Sequence, residues 1–490
     1  MINRWLMQAL HPAVLGAVAA MAVADVCLLA QSPNATSASN PFFGSVLARP
    51  ATSDTLKLSL DDAIRMGLEN NLGLKLAEND EKSLHGEKNQ ALQNFLPTIT
   101  LNGEVGVHQQ NLVTMGFGPS VVSQFSSLFP GGKIPANISF ITRDDVTDGR
   151  IQFDQMLFSG PVLAAWKAAS AAENAAHFAK TSARDEVVMQ VAAAYLYALA
   201  AASEVENARA LQAADQVAFA HAQAAHEAGT VANLDELRSR VQLQAQQQAL
   251  LAAQNSLDKN LILLKREIGI DAGQKIALSD PAPYSELAAQ PSEELCALAY
   301  RRRNDYNRLQ NQIVELKAVR TAYRSQRLPS LSFGGNYSVT TVNESGTHGN
   351  FLAQGNLRFP LFREAKLRGD TDAARARVAA AEAQLADLRG QIEQQVRSAL
   401  LDVNANAKLV EVAQSNVQLA TRVVADETDR VNAGVDDNLP LVAAQANLAT
   451  AQSNLVESLY RYNVFKLALA RATGVIEEQY RVYLGTDQKH

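Results

Sequence analysis

Two long stretches of this chain repeat each other in order. Leu96-Pro97-Thr98-Ile99 returns as Leu328-Pro329-Ser330-Leu331, and Leu157-Phe158 returns as Leu361-Phe362. Gly229 with Asn233-Leu234 returns as Gly434 with Asn438-Leu439, and Ile268-Gly269 as Thr473-Gly474. The offset is about 232 residues early and about 205 late. The difference falls in one place, since the stretch from Pro97 to Leu157 is some 28 residues longer than that from Pro329 to Leu361. Matching segments in a fixed order mark an internal duplication, and a length difference confined to one connection is how a surface loop is inserted. Whatever one half folds into, the other folds into as well.

Each half reads as helix, two strands, long helix, turn, helix. The first helix opens at Ser59-Leu60-Asp61-Asp62, where Ser59 can cap and the acidic pair suits the positive helix end. It is expected to run to about Phe95, stopped by Leu96-Pro97, and its counterpart to run from about Ser292 to Arg327. The long helices are expected from about Pro161, a first-turn proline, to His226, and from Glu364 to Asn432. Gly229 and Gly434 end them. The closing helices follow from about Asn233 to Glu267 and from Asn438 to Ala472. At 1.5 Å per residue each long helix spans roughly 100 Å and the others roughly 50 Å. No compact core holds such a rod, so the helices are expected to form a wall.

The seam of that wall is visible. Val396, Val403, Val410, Val417, Val424 and Val431 recur every seven residues, and Val378, Leu385 and Ile392 repeat the pattern shifted by a four-residue stutter. Valine is a mediocre helix former, so its strict recurrence reports packing. Composition agrees. The chain is 47% hydrophobic but only 6% aromatic, and the shortfall in large side chains is made up by Ala, which lets helices approach closely.

Other classes drop out. A formal charge of −6 with no basic tract beyond Arg301-Arg302-Arg303 argues against a nucleic-acid partner. Two cysteines, Cys27 and Cys296, make no disulfide framework. There is no phosphate-cradling Gly loop and no H-E-x-x-H or Cys-His spacing, so neither an enzyme nor a cofactor or metal is expected. His221 and His226 diverge on a helix, and His177 reads as a solvated face. After the first 30 residues no continuous apolar run is long enough for a membrane helix. The first 24 residues read as a signal peptide, with Arg4, the apolar run Ala13 to Met21, and the cleavage site Ala22-Val23-Ala24. Ala24-Asp25-Val26 before Cys27 fits a lipoprotein signal badly. The expected organisation is signal peptide 1–24, flexible lead-in 25–55, first repeat 56–280 with strands near 97–110 and 147–158, second repeat 290–476 with strands near 329–342 and 350–362, and tail 477–490.

The strand segments alternate. Ile99, Leu101, Val105 and Val107 oppose Thr98, Thr100, Asn102, Glu104 and His108. Leu331, Phe333, Tyr337 and Val339 oppose Ser330, Ser332, Asn336 and Ser338. Phe351, Leu357, Phe359 and Leu361 alternate with polar residues, while Gln155 spoils the pattern of the segment Arg150 to Phe158. Such ten-residue segments are the signature of a transmembrane β-barrel with lipid outside and water within, and Ile99, Leu101, Val105, Leu331, Phe333, Leu357 and Phe359 would face the lipid. Four strands cannot close a barrel, which needs about eight, so other subunits must complete it. A half-buried sheet in a soluble, exported coiled-coil adaptor or scaffold is the alternative reading.

The two Leu-Pro and two Leu-Phe junctions, with Leu58-Ser59-Leu60-Asp61-Asp62-Ala63-Ile64 followed by Glu69-Asn70-Asn71, resemble the outer-membrane efflux protein (TolC) family over about residues 56–476. The resemblance implies a mainly α fold with a membrane β-barrel portion: a homotrimer sharing a twelve-strand barrel, four strands per protomer, in outer-membrane lipid. The barrel would continue into a long α-helical coiled-coil barrel through the periplasm. It further implies a channel serving a periplasmic adaptor and an inner-membrane transporter in efflux or type I secretion. Gly229, Thr230, Val231 and Asn233, with Gly434, Val435 and Asn438, then correspond to the periplasmic tips that dock the adaptor and gate. Family members often carry acidic residues six and nine positions after the second Gly, but here Pro440 and Ala443 stand there. Asp436 and Asp437 could form an acidic ring at the aperture or simply cap a helix, and Asp235 in the first half has the same two readings.

Overall fold

The computed structural model describes residues 40–47, 50–124, 139–229, 232–280, 284–288, 290–343, 346–433 and 438–486. The expected signal peptide and most of the lead-in lie outside them. In chain order the elements are β1 (Leu56–Leu58), α1 (Leu60–Asn70), α2 (Leu72–Gln93), β2 (Thr98–Asn111), β3 (Ile141–Phe158), α3 (Gly160–Glu227), α4 (Asn233–Ile268), β4 (Ile276–Leu278), α5 (Ser292–Arg302), α6 (Asn304–Ser325), β5 (Ser330–Val342), β6 (Thr347–Arg358), α7 (Glu364–Asn432), α8 (Asn438–Ala472) and α9 (Ile476–Leu484). They divide into two compact units. One draws on Met1–Glu81, Ala175–Gln310 and Ala383–His490, the other on Lys82–Asn174 and Asn311–Glu382.

The first unit is helical apart from β1 and β4, which pair in parallel from Leu56↔Ile276 to Leu58↔Leu278. Ser59 Oγ accepts from Asp62 N at 3.1 Å and starts α1. Asp280 steadies the same end: its Oδ2 accepts from Leu60 N at 2.6 Å and from the Tyr195 hydroxyl at 3.0 Å. The core gathers Leu58, Leu74, Val187, Val191, Leu264, Ile268, Leu295, Leu467 and Ile476 with the seam residues Ile392, Val396, Val403 and Val410. Deep burial of the seam reaches Ala413, beyond which Val417 and Val424 are half-buried. Helix α3 contains a stretch apolar enough to cross a membrane, yet 56% of it is buried within the protein. Its apolarity therefore serves helix packing.

Two helices expected to run unbroken are each interrupted once, at equivalent places in the two halves. Asn71, at φ −59° and ψ 132°, separates α1 from α2, and Arg303, at φ −64° and ψ 124°, separates α5 from α6. Asn71 Oδ1 accepts from Leu74 N at 3.2 Å, which caps the new helix, and its Nδ2 donates to Phe42 O at 2.8 Å. Arg303 instead forks onto Asp305 at 3.0 and 2.6 Å and reaches Ala472 O at 3.3 Å. Against each break presses the left-handed glycine that ends the closing helix, Gly269 (φ 77°) beside Asn70 and Gly474 (φ 75°) beside Arg302 and Arg303.

The stretch read as a tail contains α9, which buries Ile476, Tyr480, Tyr483 and Leu484. Arg184 Nε donates to both carboxylate oxygens of Glu477 at 2.9 Å, and Tyr480 and Arg481 both donate to Asp61 Oδ1.

The second unit carries one antiparallel sheet in the order β2-β3-β5-β6. A single bulge interrupts it between Met156 and Phe158. The longer connection of the first half follows β2, beginning with a 3-10 turn at Leu112–Met115 and a short helical turn at Pro119–Val122.

Candidate functional site: the sheet face and the helical tips

Register decides which side chains share a face, because residues paired across a sheet point the same way and neighbours along a strand point apart. Leu101 pairs with Ile151, Ile151 with Tyr337 and Tyr337 with Phe351, so one apolar row crosses all four strands. Ile99 pairs with Phe153, and Leu331 with Leu357. Ile99, Leu101, Val105, Leu331, Phe333 and Leu357 thus lie on one face, and Phe359, one residue past β6, keeps the same parity. The Phe153 and Phe333 rings meet edge to face at 5.9 Å on it. Leu101 is 79% exposed, Val105 84%, Phe351 78% and Leu357 72%. So large a contiguous apolar surface calls for cover from outside the chain. From Leu331 to Val339 it runs roughly 27 Å along β5, close to an apolar band about 25 Å tall.

The other face is mostly polar: Thr98 pairs with Asp154, Thr100 with Gln152, Asn102 with Arg150, Glu104 with Asp148, and His108 with Asp144, while Val146 beside Gly106 and Val342, and Leu352 beside Asn336, interrupt it. Asp148, buried among them, accepts from Thr340 Oγ1 at 2.5 Å and pairs with Arg150 at 3.1 Å. The misfit Gln155 on the apolar face finds a partner, its Nε2 lying 3.5 Å from Phe95 O.

At the first tip, Gly229 adopts φ 72° in open space and its N–H returns to His226 O at 2.9 Å, reversing the chain after α3. Asn233 opens α4 with no side-chain cap from Ala232. Asp235 sits in the first turn, half-buried and 3.4 Å from Arg238 Nη1 of its own helix. Glu236 faces His226 Nε2 at 3.9 Å. Thr230 and Val231, and at the second tip Gly434, Val435, Asp436 and Asp437, lie outside the described residues, and Asn438 is the first residue of α8.

One buried acid went unread in the sequence. Asp215 on α3 is only 3% exposed; burial pushes its carboxyl up while a hydrogen bond with Gln242 of α4 pulls it down. A lone Asp among Ala residues gives no signal of burial. Among the described residues no group of three or more His, Cys, Asp or Glu is placed to hold a metal ion.

A sequence profile for outer membrane efflux proteins matches residues 63–269 and 298–475, which takes in both repeats. The chain is 25% identical over 311 residues to the alkaline protease secretion protein AprF of Pseudomonas aeruginosa, a match spanning 60% of this chain and 62% of that one. It is 24% identical over 386 residues to the outer membrane protein TolC of Vibrio cholerae, covering 74% of this chain and 85% of that one. A crystal structure of a membrane protein from Pseudomonas aeruginosa shares the fold, with a TM-score of 0.70 at 18% identity over 85% of this chain and 93% of that one.

Proposed function

Because the chain belongs to the outer membrane efflux protein family, we propose that it is a passive exit duct of the outer membrane, in which three copies close one barrel and conduct cargo received from an inner-membrane transporter through a periplasmic adaptor. The observation that carries this reading is the sheet with one apolar and one polar face. Its four strands cannot close alone, and its apolar side is too large to be left in water. In this reading Ile99, Leu101, Val105, Leu331, Phe333, Leu357 and Phe359 face lipid and the polar face lines the pore. The name of AprF speaks of protease secretion and that of the family of efflux, so the cargo is an exported protein or an expelled small molecule.

The tips at Gly229 to Asn233 and Gly434 to Asn438 dock the adaptor, and Asp436 and Asp437 from three copies ring the aperture. Asp235 holds the corresponding place at the first tip, where it also pairs with Arg238 of its own helix. The deciding experiment is extraction and reconstitution. A detergent-dependent trimer that conducts in planar bilayers is expected, with cation block weakened in D436N/D437N. A monodisperse, detergent-free monomer without conductance would overturn the duct and leave a soluble exported scaffold. Unchanged cation block in the variant would remove the acidic ring alone.

A further inference from the structure

In each half, the end of the closing helix meets the break in the first helix, and the two joints so formed are closed by different parts. At the second joint Arg303 stands in the break and its Nη1 donates to Ala472 O, one of the carbonyls that the end of α8 leaves without a helical partner. The helix that follows caps itself, since Asp305 Oδ1 accepts from Tyr306 N at 2.8 Å. Asn71 holds the place of Arg303 in the first break, and Glu267, before Ile268-Gly269, holds the place of Ala472 before Thr473-Gly474. Asn71 does not reach that carbonyl, because its side chain is engaged by Leu74 N and Phe42 O. Glu267 O accepts instead from the hydroxyl of Ser45, which belongs to the segment Asn40–Leu47 ahead of β1.

That segment serves two helix ends at once. At the start of α2, Leu72 N donates to Gly44 O at 2.9 Å and Gly73 N to Pro41 O at 3.2 Å, two of the amides that a helix N-terminus leaves unpaired. At the end of α4, Ser45 N donates to Arg266 O at 3.1 Å, and Arg266 Nη1 returns to Ser45 O at 2.8 Å. Val46 N donates to Asn70 O at 2.9 Å, which holds the last residue of α1 as well. Ser45, at the centre of these bonds, is only 4% exposed. Phe42 is the side-chain anchor. Its amide donates to Asn40 Oδ1 at 3.0 Å, and its ring lies so near Gly73 that a Cβ there would stand 2.4 Å from it.

We propose that residues 41–46 form an intrachain clasp on which the first joint alone depends: seated, it closes the joint, and withdrawn, it lets the joint open while the second stays shut. The physical reason is the number of groups it satisfies together. Withdrawal strands Leu72 N, Gly73 N, Asn70 O, Arg266 O and Glu267 O in one step, and a buried backbone group without a partner costs about as much as a lost hydrogen bond. Those groups regain partners only if water enters, so the helix ends fray and the joint loosens as a local unit. Arg303 needs no such helper, because the residue in the break carries its own long donor side chain. The stretch ahead of the first repeat is thereby more than a tether: pulling or cutting it acts on the first joint and leaves the second untouched. The inference stands on these contacts and on the comparison of the two joints, independently of the duct reading.

The test is hydrogen exchange followed by mass spectrometry on the full-length protein in detergent, with melting curves beside it. Deleting residues 40–47 should speed exchange about tenfold in fragments covering 68–76 and 262–270, the scale of one or two lost hydrogen bonds. Fragments covering 299–308 and 468–476 should be unchanged, and deleting residues 30–39, which spares the clasp, should alter neither joint. Unchanged exchange at the first joint, or an equal rise at both, overturns the proposal. Gly73→Ala supplies an independent sign. Alanine is the better helix former, so in the chain lacking 40–47 it should raise the melting point by about 1–2 °C, whereas in the intact chain it displaces Phe42 and should lower it by about 1–3 °C. Shifts of the same sign in both chains would contradict the clasp. Should the deletion fail to assemble, Phe42→Ala and Ser45→Ala in the intact chain give the same exchange reading, faster at the first joint only.

Discussion

Gly474, at φ 75°, lies so close to Arg303 that a Cβ on it would stand 2.8 Å from the Arg303 amide nitrogen. Gly269, at φ 77°, stands in the same relation to the other half: a Cβ there would meet Val46 O at 2.7 Å and Asn70 Cβ at 2.9 Å. The duplicated chain therefore builds the same joint twice, a glycine-ended closing helix seated in a break of the first helix.

Gly474→Ala and Gly269→Ala should each destabilise the protein by more than about 2 kcal/mol, since a left-handed backbone costs roughly 1–2 kcal/mol without glycine and here backbone atoms must also move aside. Gly229→Ala is the control. It has the same left-handed backbone at φ 72° but nothing within 4 Å, so its cost should stay near about 1 kcal/mol. Melting curves of the three variants check this, and equal losses would show that contact at the joint is unimportant.

Leu101 and Thr100 are neighbours on β2 that point to opposite faces. Leu101→Lys should cost up to about 2–4 kcal/mol, depending on depth, if its face meets lipid. Thr100→Lys, opposite Gln152 on the polar face, should cost little. The readout is the yield of assembled, detergent-extracted protein. Similar yields from the two variants would mean that the apolar face is not against lipid.

How far the sequence revealed the fold depends on where periodicity holds. The valines at seven-residue spacing and the alternating strands were legible because each follows one period over many residues, and Ile392, Val396, Val403 and Val410 are all buried. The breaks at Asn71 and Arg303 were not. Neither site carries Gly or Pro, the helical pattern continues past both, and the glycine that packs against each lies about 170–200 residues away in the sequence. The nine residues of α9 are too few for periodicity to register. His177, read as a solvated face, is indeed more than half exposed, but it also holds Glu81, a partner that no local pattern names. At the tips Gly229 was readable from its place at a helix end, whereas the burial of Asp215 depends on the facing helix.

Asp185 on α3 accepts from Asn304 Nδ2 at 2.8 Å, just past the second break. Burial pushes its carboxyl up to about 6 from an ordinary 3.8, with Asn304 pulling the other way. An acid whose folded value is raised contributes stability that is present below its unfolded value and lost as pH rises through the folded one. Asp185→Asn keeps an acceptor for Asn304 and removes the charge. It should therefore raise stability by about 1–2 kcal/mol above roughly pH 6, allowing for partial exposure, with the gain closing as pH falls toward 4. Melting midpoints from pH 4 to 8 decide it, and a gain independent of pH would contradict the role of charge.

The short helix α9 joins the beginning of the first repeat to the end of the second through its own contacts. Tyr480 donates to Asp61 Oδ1 at 2.6 Å, and Glu477 takes a two-pronged grip from Arg184. Beneath these polar ties, Ile476 is 0% exposed, Leu484 1% and Tyr483 4%. The polar and apolar shares can be separated. Tyr480→Phe removes one hydrogen bond and should cost about 1 kcal/mol, leaving Asp61 to Arg481. Ending the chain at Val475 also uncovers the core that Ile476, Tyr483 and Leu484 seal, each worth about 1.5–3 kcal/mol when fully buried. That loss is comparable with the whole stability of a typical domain, so the truncated chain should fail to assemble. A chain ending at Thr486 keeps every one of these contacts and should assemble normally. Assembly of the chain ending at Val475 at wild-type yield would show that α9 merely rests on the core.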